Sequence, residues 1–243
     1  MESLYHHIFL RARFISIARR VTVNPPILIK ILWWLLFGVC LAYAAFALDM
    51  FRIELMSLLD CPLEGEAKER SASVPFLIHS LLGAIGLVAG ALQFNPYRKN
   101  KCSLSHRLVG WTYLIAIWGT SLSGLWSAIY FDVPLLAKVI FWFIGFWWFF
   151  ATTCAYWQIR NHRVLIHRNW MIRSFAISLF FISFPIWVPA LQTILSSQLA
   201  WPLGLFLAGS INAMVAEALI YRLNGSHPFL EMTNDDTDLS LIR

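Results

Sequence analysis

Charge is scarce in this sequence. Asp, Glu, Lys and Arg make up 13% of the 243 residues, against roughly 25% in a soluble domain. So few charged side chains cannot build the polar shell that a water-soluble globule needs. Cysteine is scarce too: Cys40, Cys61, Cys102 and Cys154 form no C-x-x-C pair, and no disulfide framework can be read from them. The chain also lacks a P-loop, a dinucleotide-binding fingerprint, an H-E-x-x-H run and a nucleophile paired with a base, so kinase and hydrolase chemistry have no support. Outside its apolar runs, no stretch is long enough to bury a core of its own.

What the chain has is hydrophobic length. It is 59% hydrophobic and 16% aromatic, with a mean hydropathy of +0.65. A membrane-spanning helix needs about 20 mainly apolar residues, and six stretches qualify: Ile27–Leu48, Val74–Phe94, Leu108–Tyr130, Val133–Tyr156, Ile172–Leu195 and Leu199–Tyr221. These runs are continuous and not the short alternating strands of a transmembrane barrel, and backbone groups in lipid must otherwise be satisfied within helices. The sequence therefore predicts an all-α polytopic membrane protein, a six-transmembrane-helix bundle over residues 27–222. A basic amphipathic arm (1–26) precedes it and a polar tail (223–243) follows. The arm's length, and that of the first apolar run, argue for a retained anchor and against a cleaved signal peptide.

Lys and Arg set the expected orientation. They gather in the arm (Arg11, Arg13, Arg19, Arg20, Lys30), in the second-to-third connection (Arg98, Lys99, Lys101, Arg107), around the fourth-to-fifth (Arg160, Arg163, Arg168, Arg173) and in the tail (Arg222, Arg243). The other side holds Arg52, Lys68, Arg70 and Lys138, mixed with Asp49, Glu54, Asp60, Glu64, Glu66, Glu69 and Asp132. Both termini are thus expected in the cytoplasm. The pI near 9.4 is accounted for by these loops, and no nucleic-acid partner is called for.

Ionisable and polar groups at membrane depth are costly, so function is sought there first. In the second helix His79, Gly83, Gly86 and Gly90 recur on one face, with Gln93 close to the same stripe. The third helix repeats the opening, HRLVGWT at His106 echoing HSLLGAI at His79, so that His106, Gly110 and Tyr113 share a face. A glycine one turn from a histidine leaves room for a flat cofactor or for a neighbouring backbone, and close helix packing is the ordinary use of such faces. His79 lies near the outer boundary, about 7–8 Å from Val74 at 1.5 Å per residue. His106 and His167 lie at the cytoplasmic one, where they could serve as axial ligands of a b-type haem, with His162 as a substitute. Equally, each is followed by an arginine and could face lipid phosphate. Glu217 needs a partner at its own depth, with Arg173, Arg107 and His106 as candidates, and Asn212 lies deeper. His106, His167, Arg173 and Glu217 are expected to converge. Pro185 and Pro189 should kink or loosen the fifth helix. The tryptophans of the fourth helix (Trp142, Trp147, Trp148) read as lipid-facing or packing aromatics.

The segments HSLLGAIGLVAGALQF, SHRLVGWTYLIAIWGTSLSGL, HRNWMIRSFAIS and INAMVAEALIYR together resemble the bacterial predicted-membrane-protein family called domain of unknown function 2306. The likeness runs from Pro75 to about Arg222. It implies a bacterial inner-membrane location and carries His79, Gln93, His106, Arg107, Gly110, Tyr113, His167, Arg168, Trp170, Arg173, Asn212 and Glu217 as family positions. Where the family commonly places an arginine about a dozen residues after MIRS, this chain reads Phe184-Pro185. The histidine-glycine helices also look distantly like those of membrane cytochromes b. Three functional readings follow. The first is a haem- or quinone-linked membrane redox protein, with a quinone or redox protein as its partner. The second is a small transporter or channel lined by His79, Gln93, Asn212 and Glu217. The third is a non-enzymatic module that binds lipids or a protein.

Overall fold

The structure, a computed structural model, describes residues 27–60, 67–96 and 103–224. The amphipathic arm, Cys61, Cys102 and the tail from residue 225 lie outside the described residues. Six helices are present: α1 (Ile27–Asp60), α2 (Ala67–Gln93), α3 (Leu104–Tyr130), α4 (Leu135–Arg160), α5 (Val164–Gln192) and α6 (Ser197–Asn224). All six are long and apolar enough to cross a membrane. Leu35, Phe143 and Phe206 are among many large apolar side chains exposed on the outer faces of the bundle, which only lipid can solvate. The protein is an all-α, multi-pass membrane protein.

Every helix outruns its apolar stretch at one end or both. With 26 to 34 residues each, they are roughly 39–51 Å long at 1.5 Å per residue, beyond the ~30 Å hydrocarbon core. α5 starts at Val164 instead of Ile172, and α6 runs on to Asn224, two residues past the expected domain boundary. The cause is local. Arg, His and Asn near a bilayer boundary end a hydropathy run without breaking a helix, because their side chains can reach the headgroups. α3 begins at a polar cap, the Ser103 side chain accepting from the His106 backbone N–H, which sets His106 in the first turn. Between α4 and α5, His162 takes a left-handed conformation (φ 61°), and the Arg163 N–H closes back on the Gln158 carbonyl, a helix-ending geometry more often given to glycine. Pro185 and Pro189, with Pro75 and Pro202, lie inside helices that continue through them.

Helices α2 to α5 form a central bundle in which successive helices pack side by side and α2 meets α5 more loosely. α1 packs on α2, and α6 on α5 and α4. The end carrying Gln93, Leu104, Arg160, Val164 and Asn224 is called the basic end below. The α2 glycine face explains the close α2–α3 contact. An added Cβ would lie 3.3 Å from Thr120 Oγ1 at Gly83, 2.8 Å from Ile117 Cδ1 at Gly86, and 2.5 Å from Phe175 and 2.8 Å from Tyr113 at Gly90. Polar ties add to the packing: Trp33 Nε1 donates to the Ala91 carbonyl at 3.0 Å, joining α1 to α2, and Trp118 Nε1 donates to Thr153 Oγ1 at 3.1 Å, joining α3 to α4.

Gly90 touches two rings that are themselves buried, so Gly90→Leu cannot be absorbed by one flexible side chain. It is expected to destabilise by about 1–3 kcal/mol, the usual range for overpacking, and to lower the thermal unfolding midpoint in detergent. Gly38, which has open space around it, provides the control: Gly38→Leu should unfold at the parent temperature.

Candidate functional site

A cavity of about 190 Å³ lies inside the bundle in the half away from the basic end, lined by residues of α1 to α5. Its walls are mainly apolar, among them Tyr43, Phe76, Leu125, Phe141 and Phe181. Three polar side chains give it character. Ser121 is 2% exposed, and its hydroxyl has no hydrogen-bond partner among the described residues. Trp148 is 3% exposed, and its indole N–H lies beside the Tyr113 hydroxyl without closing a full hydrogen bond. His79 is held by α3: its Nδ1 lies 2.8 Å from the Thr120 carbonyl oxygen, and the Thr120 hydroxyl donates to the His79 carbonyl at 2.9 Å. A carbonyl can only accept, so Nδ1 carries the proton and Nε2 is the lone-pair nitrogen. The ring can sit there because position 124 is glycine, where a Cβ would come within 2.6 Å of Nδ1.

Below the cavity, toward the basic end, the hydroxyls form a chain. Ser178, a lining residue, lies 3.3 Å from Tyr113 Oη. Tyr113 Oη lies 2.8 Å from Ser174 Oγ, and Ser174 Oγ is 2.6 Å from Thr152 Oγ1, whose proton goes to the Trp148 carbonyl. Each hydroxyl thereby meets an oxygen without leaving the bundle.

The remaining predicted residues fall into separate contacts and not one cluster. Gln93 Nε2 donates to the His106 carbonyl at 3.0 Å, and Gly110 faces that amide, with space for a Cβ only 3.2 Å from Nε2. His167 Nδ1 lies 2.7 Å from the Ala155 carbonyl on α4. Arg173 pairs with Glu217 through two bonds of 2.6 and 2.9 Å and lies over the Trp170 ring at 5.0 Å. Asn212 donates to the Ala176 carbonyl and to Ser183, and Arg168 bonds Asn224.

Glu217 has a partner in Arg173, one of the three candidates, yet the pair lies at the periphery: the Glu217 side chain is 56% exposed and that of Arg173 27%. The bidentate geometry lets the pair neutralise itself at the bundle periphery. Trp148 is a packing aromatic, as its sequence context suggests: it is buried in the core with Ile117 and Phe175 and packs on Phe181, and it also lines the cavity. The sequence reading missed Thr120 and Ser121. Nothing in the GTSLSG pattern says which hydroxyl is left over once helices pack. Among the described residues no group of three His, Cys, Asp or Glu side chains comes together to hold a metal ion.

The Arg173–Glu217 pair yields a test that separates an ion pair from two independent side chains. Arg173→Gln and Glu217→Gln should each lower the unfolding midpoint, because each leaves a single charge at membrane depth. The double substitution should be less harmful than the sum of the two. A double-mutant cycle in detergent or bicelles reads this directly.

Residues 76–220 match the family described as predicted membrane protein (DUF2306), whereas no curated protein and no solved structure matches the chain. The matched segment begins in the cavity wall at Phe76 and holds His79, Ser121, Trp148, the Tyr113 hydroxyl chain and the Arg173–Glu217 pair. It leaves out only α1 among the helices that line the cavity. The matched segment spans more than half of the sequence, and the chain belongs to the DUF2306 family of predicted membrane proteins.

Proposed function

We propose that this protein binds a lipid-soluble ligand of quinone type, its ring held in the cavity beside His79. The observation that carries the reading is the Ser121 hydroxyl, without a partner among the described residues, in a mainly apolar cavity inside the bundle. Leaving such a group unpaired costs about 1–3 kcal/mol, and a ligand that accepts a hydrogen bond removes that cost. Size agrees: an apolar cavity of roughly 150 Å³ takes up a benzene ring, and this one, at about 190 Å³, suits a one- or two-ring head. Polarity agrees as well. Ser121 can donate to a quinone carbonyl, while His79 Nε2 can accept from the hydroxyl of the reduced form. In a bacterial inner membrane with both termini in the cytoplasm, the basic end faces the cytoplasm and the cavity lies in the outer half.

A tailless 2-methylnaphthoquinone is the probe. It should bind the detergent-purified protein, and Ser121→Ala should weaken it by about three- to tenfold, the worth of one hydrogen bond of roughly 0.5–1.5 kcal/mol. Equilibrium dialysis measures both. No saturable binding to the parent protein would sink the reading. Orientation has its own check: a reporter fused after Arg243 should score as cytoplasmic, and one between Glu64 and Ser71 as external.

A second reading keeps one specific support. His167 donates Nδ1–H to the Ala155 carbonyl, which frees Nε2 in the manner of iron-ligating histidines. His106 and His167 also stand seven residues, about two turns, before Tyr113 and Ser174, the residues through which α3 and α5 touch. A b-type haem held between them would give a Soret band that His106→Ala and His167→Ala abolish and His79→Ala leaves intact. The transporter reading has less behind it, because Gln93, Asn212 and Glu217 are engaged in contacts within the bundle.

A further inference from the structure

We infer that the ligand reaches the cavity sideways from the bilayer, through a portal framed by Phe46 of α1, and that its hydrophobic tail lies in this portal while its ring sits beside His79. The inference rests on the proposed quinone-type site and adds to it a route and a ligand class: a quinone bearing a long hydrocarbon chain.

Three observations carry it. Every residue lining the cavity is buried or half-buried except Phe46, which lines it and is also 52% exposed. Phe46 is therefore where the cavity wall meets the outer surface. Phe46 lies near the outer end of the Ile27–Leu48 apolar run, about 4–5 Å from Asp49 at 1.5 Å per residue, between Leu41 and Leu48, which are exposed as well.

Second, α1 packs closely on α2, whereas its Tyr43, Phe46 and Ala47 look across the cavity toward α4 and α5, helices on which it does not pack closely. Nearer the basic end this seam is filled by the core around Cys40, Leu87, Ala91 and Phe175. At Phe46 side chains alone form the wall, and side chains move far more readily than packed backbones.

Third, two aromatic rings stand on the alternative route along the bundle axis. A separate hollow at the end opposite the basic one, with Glu54 and Tyr130 in its wall, shares Phe76 and Phe131 with the cavity. Those two rings stand edge to face, with centroids 6.2 Å apart, between the two spaces.

The test uses full-length protein in liposomes and two quinones with the same ring, one tailless and one with a long isoprenoid tail. Ala47→Phe narrows the portal and should slow association of the tailed quinone by about tenfold, a change in on-rate that does not require a new equilibrium at the ring. The tailless quinone should be slowed less in that variant than the tailed one, because no chain has to lie in the portal. Phe46→Ala, which widens the portal, should speed association of the tailed form, and Phe76→Ala, which opens the axial route, should leave that rate unchanged. The portal is overturned if Phe76→Ala speeds the tailed quinone while both α1 variants match the parent, or if the tailed quinone fails to bind while the tailless one binds. Failure of both quinones to bind the parent protein would overturn the quinone site itself, and with it this inference. The two α1 variants act in opposite directions on one rate, so a variant that merely misfolds cannot mimic the expected pair of results.

Discussion

Inside a bilayer a polar group has no water to turn to, and much in this structure follows from that. Helical backbones satisfy their own amides and carbonyls, so what remains is the fate of the side chains. Most are capped locally or across a helix pair: Thr152, Thr153, Ser123 and Ser127 bond back to carbonyls of their own helices. Tyr113, Ser174 and Thr152 satisfy one another across three helices. Against that background, a buried Ser121 hydroxyl without a partner among the described residues marks the cavity as a place where the bundle's own chemistry is incomplete.

Small residues decide how near the helices come and therefore where space is left. Along α2, Gly86 and Gly90 let Ile117, Tyr113 and Phe175 press onto the backbone, and the half of the bundle near the basic end is filled. Higher up, Gly83 and Gly124 bracket the Thr120–His79 contact, and Gly145 brings Leu125 onto α4. There the same residue type serves a different purpose. It lets an imidazole lie flat against α3 with its proton committed to a backbone carbonyl, and it leaves the space beside the ring open. The contrast between the filled and the hollow half is what separates His79 from His106, although the two open similar sequence segments.

The charged groups obey the same constraint at the periphery. Arg173 and Glu217 are too far from the helix ends to be bathed freely in water, and each is partly exposed on the outside of the bundle. They manage this by fork-on-carboxylate pairing and by the Trp170 ring beneath the guanidinium. α5 and α6 are thereby tied by charge as well as by the close backbone approach at Gly204, where a Cβ would come within 3.0 Å of Val188 backbone atoms.

The sequence by itself determined the number of helices, their order, and the place of His79, His106 and His167 along them, because hydropathy runs and the 1.5 Å rise depend on local chemistry alone. It also put Arg173 among three candidate partners of Glu217, since few cations share its position along the helices, and it offered close packing as the ordinary use of the α2 glycine face. What only the tertiary structure decided is which face of each helix meets which neighbour. That choice put Trp148 in a cavity wall, left Ser121 without a partner among the described residues, set Gln93 on the His106 carbonyl, and turned the Arg173–Glu217 pair outward. All six helices are apolar nearly all round, so periodicity carries little signal about which side is inside. In water the hydrophobic face of a helix declares itself. In lipid it is the fit of small residues and the pairing of hydroxyls that orient a helix, and both depend on a partner helix far away in the chain.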